Sequence, residues 1–161
     1  MGADIQINNV KDDFEKTADI LVRTSELKAL VLDEDLVPNL IDELPILFIA
    51  ASFASGKTII RGVEELKTKE SDRLEAMSNS LGILGVESKS YSDGIDINGK
   101  SSLNSSVIID SFGDHRIAMA SSIACSMLDG ENIIKNIENI QTSFPKFTET
   151  CSSLGIKAES F

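Results

Sequence analysis

An internal repeat constrains the fold of this 161-residue chain more than any other feature of its sequence. One segment, Gly56-Lys57-Thr58-Ile59-Ile60-Arg61, aligns without a gap with Gly130-Glu131-Asn132-Ile133-Ile134-Lys135. The same register pairs Glu64 with Glu138, Leu66 with Ile140 and Thr68 with Thr142. A fixed offset of this kind indicates two copies of one supersecondary unit. The alternative is a chance helix–glycine–strand pattern, and the ungapped run favours the repeat.

Each copy is predicted to hold about four short strands and two helices. Similar tripeptides open successive units: Met1-Gly2-Ala3, Leu84-Gly85-Val86 and Leu154-Gly155-Ile156. We therefore place the units at about 1–84 and 85–155, with the start of a closing strand at 156–161. Alternating strands and helices predict an α/β or α+β layer structure. Because the chain begins at a unit opening, we expect it to be a piece of a longer repeat protein or one of its domains.

Periodicity and turn residues place the individual elements. Strands are predicted at 2–7, 18–22, 27–32, 58–60, 87–91, 95–97, 107–109 and 133–134. Helices are predicted from Asp42 to Ser55, from Asp72 to Leu84, from Asp114 to Leu128 and from Phe144 to Leu154.

Composition excludes several functional classes. A hydrophobic content of 42% and a charged content of 25% are ordinary for a folded protein, and the net charge of −11 argues against nucleic acid or anionic membrane as a general partner. Cys125 and Cys151 lie in apolar helical patterns, so we predict buried free thiols rather than a disulfide or a metal site. We see no signal peptide or apolar run of membrane length, and we expect a cytoplasmic protein without a metal or cofactor.

The stretch Lys69-Glu70-Ser71-Asp72-Arg73 places two cations, two acids and a hydroxyl directly before an amphipathic helix. Ser71 or Asp72 is the natural N-cap of that helix. Free backbone N–H groups and the positive end of the helix dipole lie at the same point. Such a site suits a phosphate or carboxylate, with an acid beside it that can move a proton.

Two other predicted helix N-termini carry similar groups. Asp42 and Glu43 begin one helix, and Gly113-Asp114-His115-Arg116 begins another. If the units are related by pseudo-symmetry, one surface holds the cations Lys69, Arg73 and Arg116 against anions, with Asp42, Glu70 and His115 as proton-transfer groups. The simpler alternatives are that Asp42 and Asp114 only cap helices, that Lys69 and Glu70 form a solvated pair, and that His115 is structural. Spacing alone indicates an anion-binding α/β domain.

Four segments, in chain order, carry a resemblance to a known family: Ile41-Asp42-Glu43-Leu44-Pro45, then Lys69 to Arg73 preceded by Glu64-Glu65-Leu66-Lys67, then Gly113-Asp114-His115-Arg116-Ile117-Ala118-Met119, and Thr142-Ser143-Phe144-Pro145. The second resembles the K-E-S/T-D-R signature of the 5-enolpyruvylshikimate-3-phosphate (EPSP) synthase family, and the third resembles another signature of that family. The resemblance covers nearly the whole chain, which corresponds to the C-terminal part of a family member. It implies βαβαββ-type units of the enolpyruvyl transferase fold, about two units of one domain, facing a second similar domain across a cleft.

The resemblance also implies a reaction. The family transfers the enolpyruvyl group of phosphoenolpyruvate to the 5-hydroxyl of shikimate 3-phosphate and releases phosphate, without a metal. By motif, Asp42 is expected to act as base near the hydroxyl and Glu70 as acid for the methylene carbon. Lys69 is expected to bridge the substrates, Arg73 and Arg116 to clamp phosphoenolpyruvate, and His115 to support the intermediate.

The sequence departs from the family pattern in several places, which limits how many of the family's substrate contacts can be assigned to it. Many members have lysine where Thr142 stands and some have asparagine where Glu65 stands, so substrate contacts at these two positions stay open. Cationic and serine-rich segments of the family's N-terminal domain are not recognisable in this sequence, so we expect the chain alone to be inactive. The alternatives are a non-catalytic module that binds an anionic metabolite, and another enolpyruvyl transferase of the same fold.

Overall fold

The computed structural model describes residues 1–158, in which seven strands alternate with helices. The strands are β1 (Asp4–Asp12), β2 (Lys16–Arg23), β3 (Lys57–Arg61), β4 (Glu87–Ser90), β5 (Gly94–Asn98), β6 (Ile108–Asp110) and β7 (Ile133–Lys135). The α-helices are α1 (Val37–Leu40), α2 (Leu44–Phe53), α3 (Arg73–Ile83), α4 (His115–Cys125), α5 (Ile140–Ser143) and α6 (Phe147–Ser153). Short 3-10 turns cover Glu34–Leu36, Ile41–Glu43 and Glu64–Thr68.

Backbone geometry supports the internal repeat. Gly56 and Gly130 both have positive φ, 101° and 76°, and the same offset relates Gly62 at 72° to Asn136 at 61°. Positive φ is uncommon outside glycine, and asparagine tolerates it better than most residues. Two matched positions in this rare conformation therefore show that the two copies turn the chain in the same way.

The central sheet combines strands from both sides of the predicted unit boundary near residue 84. The central sheet has the order β3-β5-β4, with both pairings antiparallel, so β3 from the first unit pairs with β5 from the second. A parallel bridge joins Val31 to Ile59 in β3, and β6 pairs in parallel with β7 at the corresponding place in the second copy. If the bridged stretch 28–31 is taken in place of a regular strand, the order from there is β, α2, β3, α3, β4, β5, which corresponds to a βαβαββ unit.

The core lies between this sheet and the helices. Helix α2 contacts both α3 and α4, and α3 also packs against β4. The fully buried side chains that share this core include Leu44, Phe48, Met77, Leu81, Ile95, Ile97 and Ile117. One apolar cluster therefore fixes α2, α3 and α4 relative to one another, which decides where their N-termini lie.

Several predicted elements differ from the structure. The strand predicted at 2–7 runs from Asp4 to Asp12, and the helix predicted from Asp42 to Ser55 is Leu44–Phe53. The predicted strand at 27–32 is present only as the isolated bridges of Lys28 and Val31. The fourth predicted helix begins at Phe147 rather than Phe144 and follows a separate short helix, α5, because a residue before proline disfavours helical geometry and Phe144 has φ −143°. Helix α4 ends at Cys125 rather than Leu128.

The closing strand expected at 156–161 lies partly outside the described residues. Residues 156–158 belong to no helix or strand, and 159–161 are not described. Both cysteines of the described chain are free thiols; Cys151 is buried, as predicted, whereas Cys125 is only partly buried.

The expectation that no apolar run of membrane length is present is wrong. Within residues 1–158, Glu34–Phe53 is long and apolar enough to cross a membrane by length and composition. The stretch consists of four consecutive short helical segments, and Leu44, Phe48 and Ala51 in it are completely buried. Its apolar residues therefore serve the core of this fold.

Candidate active site

Three helix N-termini meet at one place. Asp42 lies in the turn directly before α2, Arg73 is the first residue of α3, and His115 and Arg116 begin α4. Together with Lys69 and Glu70, which precede α3, these residues form a connected set of ion pairs, here called the helix-end cluster. The structure therefore brings together all six side chains that the sequence singles out.

Arg73 is at the centre of the helix-end cluster. Its Nη1 donates to Asp42 Oδ1 at 3.1 Å and its Nη2 donates to Glu70 Oε2 at 2.5 Å. Its side chain is only 1% exposed, so the guanidinium has lost its water and needs these carboxylates. Arg73 thereby holds the two candidate proton-transfer groups, Asp42 and Glu70, on either side of one cation.

The other two cations, Lys69 and Arg116, lie beside Asp42 at the partly exposed edge of the cluster. Arg116 Nη1 donates to the Asp42 backbone oxygen at 2.7 Å and to Glu43 Oε1 at 3.0 Å. Lys69 Nζ lies 3.7 Å from Asp42 Oδ1 and is also paired with Glu65. Since the side chains of Lys69 and Arg116 are 22% and 29% exposed, they are more open to an external anion than Arg73 is.

His115 joins the cluster through Glu70, with its Nε2 3.9 Å from Glu70 Oε1. The side chain of Glu70 is 55% exposed, whereas that of His115 is 20% exposed. Glu70 is thus positioned between a buried arginine and a half-buried imidazole with one side open to solvent. This is the geometry of an acid that can exchange a proton with a bound molecule.

Asp114 has a second function that the sequence analysis missed. One oxygen, Oδ1, caps α4 by accepting from the backbone N–H groups of Arg116 at 2.9 Å and Ile117 at 3.4 Å. The other, Oδ2, accepts from Arg73 Nε at 2.7 Å and from Ser71 Oγ at 3.2 Å. Asp114 is completely buried, so it is both the cap of α4 and the anchor that orients the Arg73 guanidinium.

The turn before α4 is fixed by its own hydrogen bonds. Asp110 Oδ1 accepts from Phe112 N and from Asn136 Nδ2, both at 2.7 Å, and Ser111 Oγ donates to the Asn136 backbone oxygen at 2.7 Å. Phe112 and Gly113 both have positive φ, so the chain reverses sharply before Asp114. These bonds fix the turn to the chain that follows β7, and so fix the start of α4, which carries His115 and Arg116.

The local charges keep the Asp42 carboxyl ionised. Burial alone would raise the pKa of Asp42, but the charges of Arg116, Lys69 and Arg73 outweigh burial and hold that pKa below its ordinary value. The pKa of Lys69 is raised, chiefly by its hydrogen bond to Glu65. At neutral pH the cluster therefore contains an Asp42 carboxylate and a Lys69 ammonium, which are the forms that can accept a proton and attract an anion.

Two features differ from a simple anion clamp. Three of the five Arg73 N–H donors already bind carboxylates and the side chain is only 1% exposed, so a substrate anion gains access to this guanidinium more easily where Asp42 or Glu70 gives way. Thr142 lies exposed in α5, and among the described residues no side-chain hydrogen bond or ion pair joins it to the cluster. Within residues 1–158 no group of His, Cys, Asp and Glu has the arrangement of a metal site.

Comparison with known proteins gives a consistent result. Residues 1–151 match the family model described as EPSP synthase (3-phosphoshikimate 1-carboxyvinyltransferase). Over 99% of its length the chain is 42% identical to a 3-phosphoshikimate 1-carboxyvinyltransferase of Coxiella burnetii, and over its whole length it is 44% identical to one of Legionella pneumophila. A crystallised EPSP synthase from Acinetobacter baumannii superposes with a TM-score of 0.93 at 41% identity over 99% of the chain.

The match covers only part of each relative. The chain spans 36% of the Coxiella protein, 37% of the Legionella protein and 38% of the Acinetobacter structure. The predicted mixed strand-and-helix architecture and the resemblance of the four sequence segments are both confirmed by these matches. The chain belongs to the EPSP synthase family and spans little more than a third of the length of its relatives.

Proposed function

We propose that this chain supplies part of the active site of a 3-phosphoshikimate 1-carboxyvinyltransferase, an enzyme of the shikimate pathway in the cytoplasm. The substrates are phosphoenolpyruvate and shikimate 3-phosphate. The observation that carries the proposal is the pairing of Arg73 with both Asp42 and Glu70 at the meeting point of three helix N-termini. Two acids held apart by one buried cation, with further cations beside them, suit a reaction that moves two protons next to an anion.

The reaction divides into an addition and an elimination. In the addition, the 5-hydroxyl oxygen of shikimate 3-phosphate bonds to C2 of phosphoenolpyruvate, its proton passes to Asp42, and the methylene carbon takes a proton from Glu70. In the elimination, the new methyl group returns a proton to Glu70, the C2–O bond to phosphate breaks, and the departing phosphate takes the proton that Asp42 accepted. Enolpyruvyl ether and phosphate are the products, so atoms and charge balance without a redox partner.

The cations stabilise the anionic groups of this sequence. Lys69 and Arg116 are the exposed cations and therefore meet the substrate anions first. Arg73 completes the clamp on phosphoenolpyruvate as Glu70 or Asp42 moves towards its substrate atom, since each such movement frees an Arg73 donor. His115 supports the intermediate through its contact with Glu70.

The remainder of the enzyme is a required partner in this proposal. The relatives are nearly three times as long as the matched segment, and the helix-end cluster is open on the side of Asp42 and Glu70. A second portion closing over this edge would exclude water and add the remaining contacts to both substrates. Turnover is therefore expected from the two portions together.

Substitution of Glu70 tests the proposed chemistry. In the complex of this chain with the unmatched portion of the Legionella relative, we expect Glu70→Gln to lower the rate of phosphate release by about 10²–10⁴-fold, because the amide cannot supply the proton. Glu64→Gln is the matched control: it makes the same change at an exposed glutamate that has no side-chain bond to any residue from 1 to 158.

Two outcomes would contradict parts of this proposal. If Glu70→Gln keeps a near-normal rate, Glu70 has no part in proton transfer. If the unsubstituted complex forms and binds both substrates without releasing phosphate, the chain belongs to a binding module, and the enzymatic proposal is wrong.

A further inference from the structure

We propose that two glutamates outside the helix-end cluster, Glu65 and Glu43, are positioning residues for its exposed cations. Glu65 holds Lys69, and Glu43 holds Arg116; these two contacts are called the glutamate tethers. Each tether keeps its cation off the Asp42 carboxylate, so that the cation can bind a substrate anion. The proposal rests on the proposed function, but it concerns how the free site is prepared before a substrate arrives.

The Asp42 carboxylate lies between the two exposed cations. Lys69 Nζ is 3.7 Å from Asp42 Oδ1, and Arg116 Nη2 is 3.7 Å from Asp42 Oδ2. A charge-assisted hydrogen bond from either kind of cation to a carboxylate is about 2.7–2.9 Å long, so both cations stop about 1 Å short of bonding to this carboxylate. Contacts other than Asp42 therefore fix their positions.

Glu65 fixes the position of Lys69. Its Oε1 accepts a hydrogen bond from Lys69 Nζ, and this bond is the chief reason why the pKa of Lys69 is raised. The glutamate stands on the 3-10 turn Glu64–Thr68, which Leu66 anchors with a completely buried side chain. Thr68 Oγ1 donates to the Glu65 backbone oxygen at 3.0 Å within the same turn. The first tether is thus built on a fixed piece of backbone directly before Lys69.

Glu43 fixes the position of Arg116 together with the backbone. Arg116 Nη1 donates to Glu43 Oε1 at 3.0 Å and to the backbone oxygen of Asp42 at 2.7 Å. The Lys69 ammonium has no backbone acceptor among residues 1–158, where Glu65 and Asp42 are the acids within ion-pair distance of it. We therefore expect the Lys69 tether to matter more than the Arg116 tether.

Loss of Glu65 leaves Asp42 as the nearest acid to Lys69. A shift of about 1 Å then brings the ammonium onto Asp42 Oδ1 as a direct ion pair. A substrate anion must break that pair before it binds Lys69, so its apparent affinity falls with the fraction of molecules in which the lysine is free. At saturating substrate the pair is broken in every molecule. The tether is therefore expected to act on KM and to leave kcat unchanged.

Kinetics of Glu65→Gln test the first tether. In the complex of this chain with the unmatched portion of the Legionella relative, we expect the KM for phosphoenolpyruvate to rise about two- to fivefold, the size expected of one partly exposed ion pair, with kcat unchanged. Glu64→Gln is the matched control: it removes the same charge one position away on the same turn and should change neither constant. Glu43→Gln should raise KM by less than Glu65→Gln does.

A second substitution separates positioning from direct substrate contact. In a Lys69→Met background, Glu65→Gln has no cation to release, so KM should not rise further. A rise by the same factor in that background would show that Glu65 contacts the substrate itself, and would overturn the proposal. A KM that falls or stays constant for Glu65→Gln alone would also overturn it, because Glu65 would then only repel the anion or do nothing.

The structure of the substituted chain gives a measurement that does not depend on turnover. In a crystal structure of the Glu65→Gln chain, we expect Lys69 Nζ within about 3 Å of Asp42 Oδ1, compared with 3.7 Å in the unsubstituted chain. An ammonium that remains outside hydrogen-bond distance of Asp42 overturns the proposal. If the unsubstituted complex releases no phosphate, the proposed function is wrong, and this distance alone decides the tether.

Discussion

Arg73 and Asp114 show how single residues hold the site together. The pair joins the first turn of α3 to the cap of α4, and both side chains are buried. Arg73 then uses its two terminal nitrogens for Asp42 and Glu70, so the position of both acids depends on a carboxylate that faces away from the open edge. Asp114 is therefore a positioning residue for the acids of the helix-end cluster.

Substitutions at Asp114 separate its two functions. Asparagine retains a good N-cap but removes the charge beneath Arg73, whereas alanine removes both. We expect Asp114→Ala to lower the free energy of unfolding by about 3–5 kcal/mol, since it leaves a buried cation short of a partner. Asp114→Asn should recover about 1 kcal/mol of that loss, which is the usual contribution of a cap. Urea unfolding of the isolated chain measures both; equal stabilities of the two variants would contradict the capping function.

At this scale the sequence predicts the members of the site but not all of their contacts. Three segments at predicted helix starts concentrate chemically active residue types, which is why the sequence identifies Asp42, Lys69, Glu70, Arg73, His115 and Arg116. The bond from Arg73 Nε to Asp114 could not be predicted, because it joins residues 41 positions apart and depends on how α3 and α4 pack. The burial of Arg73 follows from the same packing.

Among the elements, the central sheet carries a second charged group on its outer face. Asp96 in β5 accepts from Arg61 Nη2 at 2.7 Å and from Tyr91 Oη at 3.2 Å, and Lys57 Nζ lies 3.5 Å away. Arg61 also lies over the Tyr91 ring, 4.3 Å from its centre. These contacts join β3, β5 and the turn after β4 across the face opposite the core, so Asp96 links the strands of the sheet.

The pH dependence of stability reports on this link. Burial alone would raise the pKa of Asp96, but its bonds to Arg61, Tyr91 and Lys57 hold the pKa below its ordinary value. A depressed carboxyl pKa stabilises the fold above the pKa of the unfolded chain, about 3.9 for aspartate, and the stabilisation is lost as pH falls through the folded value.

We therefore expect Asp96→Asn to cost about 1–3 kcal/mol at neutral pH and progressively less below about pH 4. Urea unfolding between pH 7 and pH 3 checks this, with exposed Asp129→Asn as the control, for which a change under about 0.5 kcal/mol is expected. A destabilisation by Asp96→Asn that stays constant down to pH 3 would show that the charge of Asp96 is not the cause.

Element prediction succeeded where local signals are strong. Helix α3 begins after Asp72, whose side chain accepts from Glu75 N, and α4 begins after Asp114, so capping residues located both starts. The strand predicted at 27–32 does not form as a regular strand, because the structure pairs this stretch only through isolated bridges. The sequence shows the turn at the predicted unit boundary near residue 84. It does not show that β3 and β5 pair across that boundary, because this pairing depends on contacts between residues far apart in the chain.

At the scale of the whole molecule, the net charge is strongly negative, whereas the site concentrates positively charged side chains. The chain carries −11 overall, yet Lys69, Arg73 and Arg116 are concentrated at one place, where each is paired with an acid. In the proposed function, the open edge of this cluster is closed by the association of this chain with the rest of the enzyme.

Phosphate release from shikimate 3-phosphate plus phosphoenolpyruvate tests that dependence most directly. The rate is measured for this chain alone, for the unmatched portion of the Legionella relative alone, and for the two together. We expect release only from the combination, because the helix-end cluster supplies the acids and three cations while the partner completes the cleft. Release by this chain alone at a comparable rate would contradict the two-part site, since residues 1–161 would then contain everything that the reaction needs.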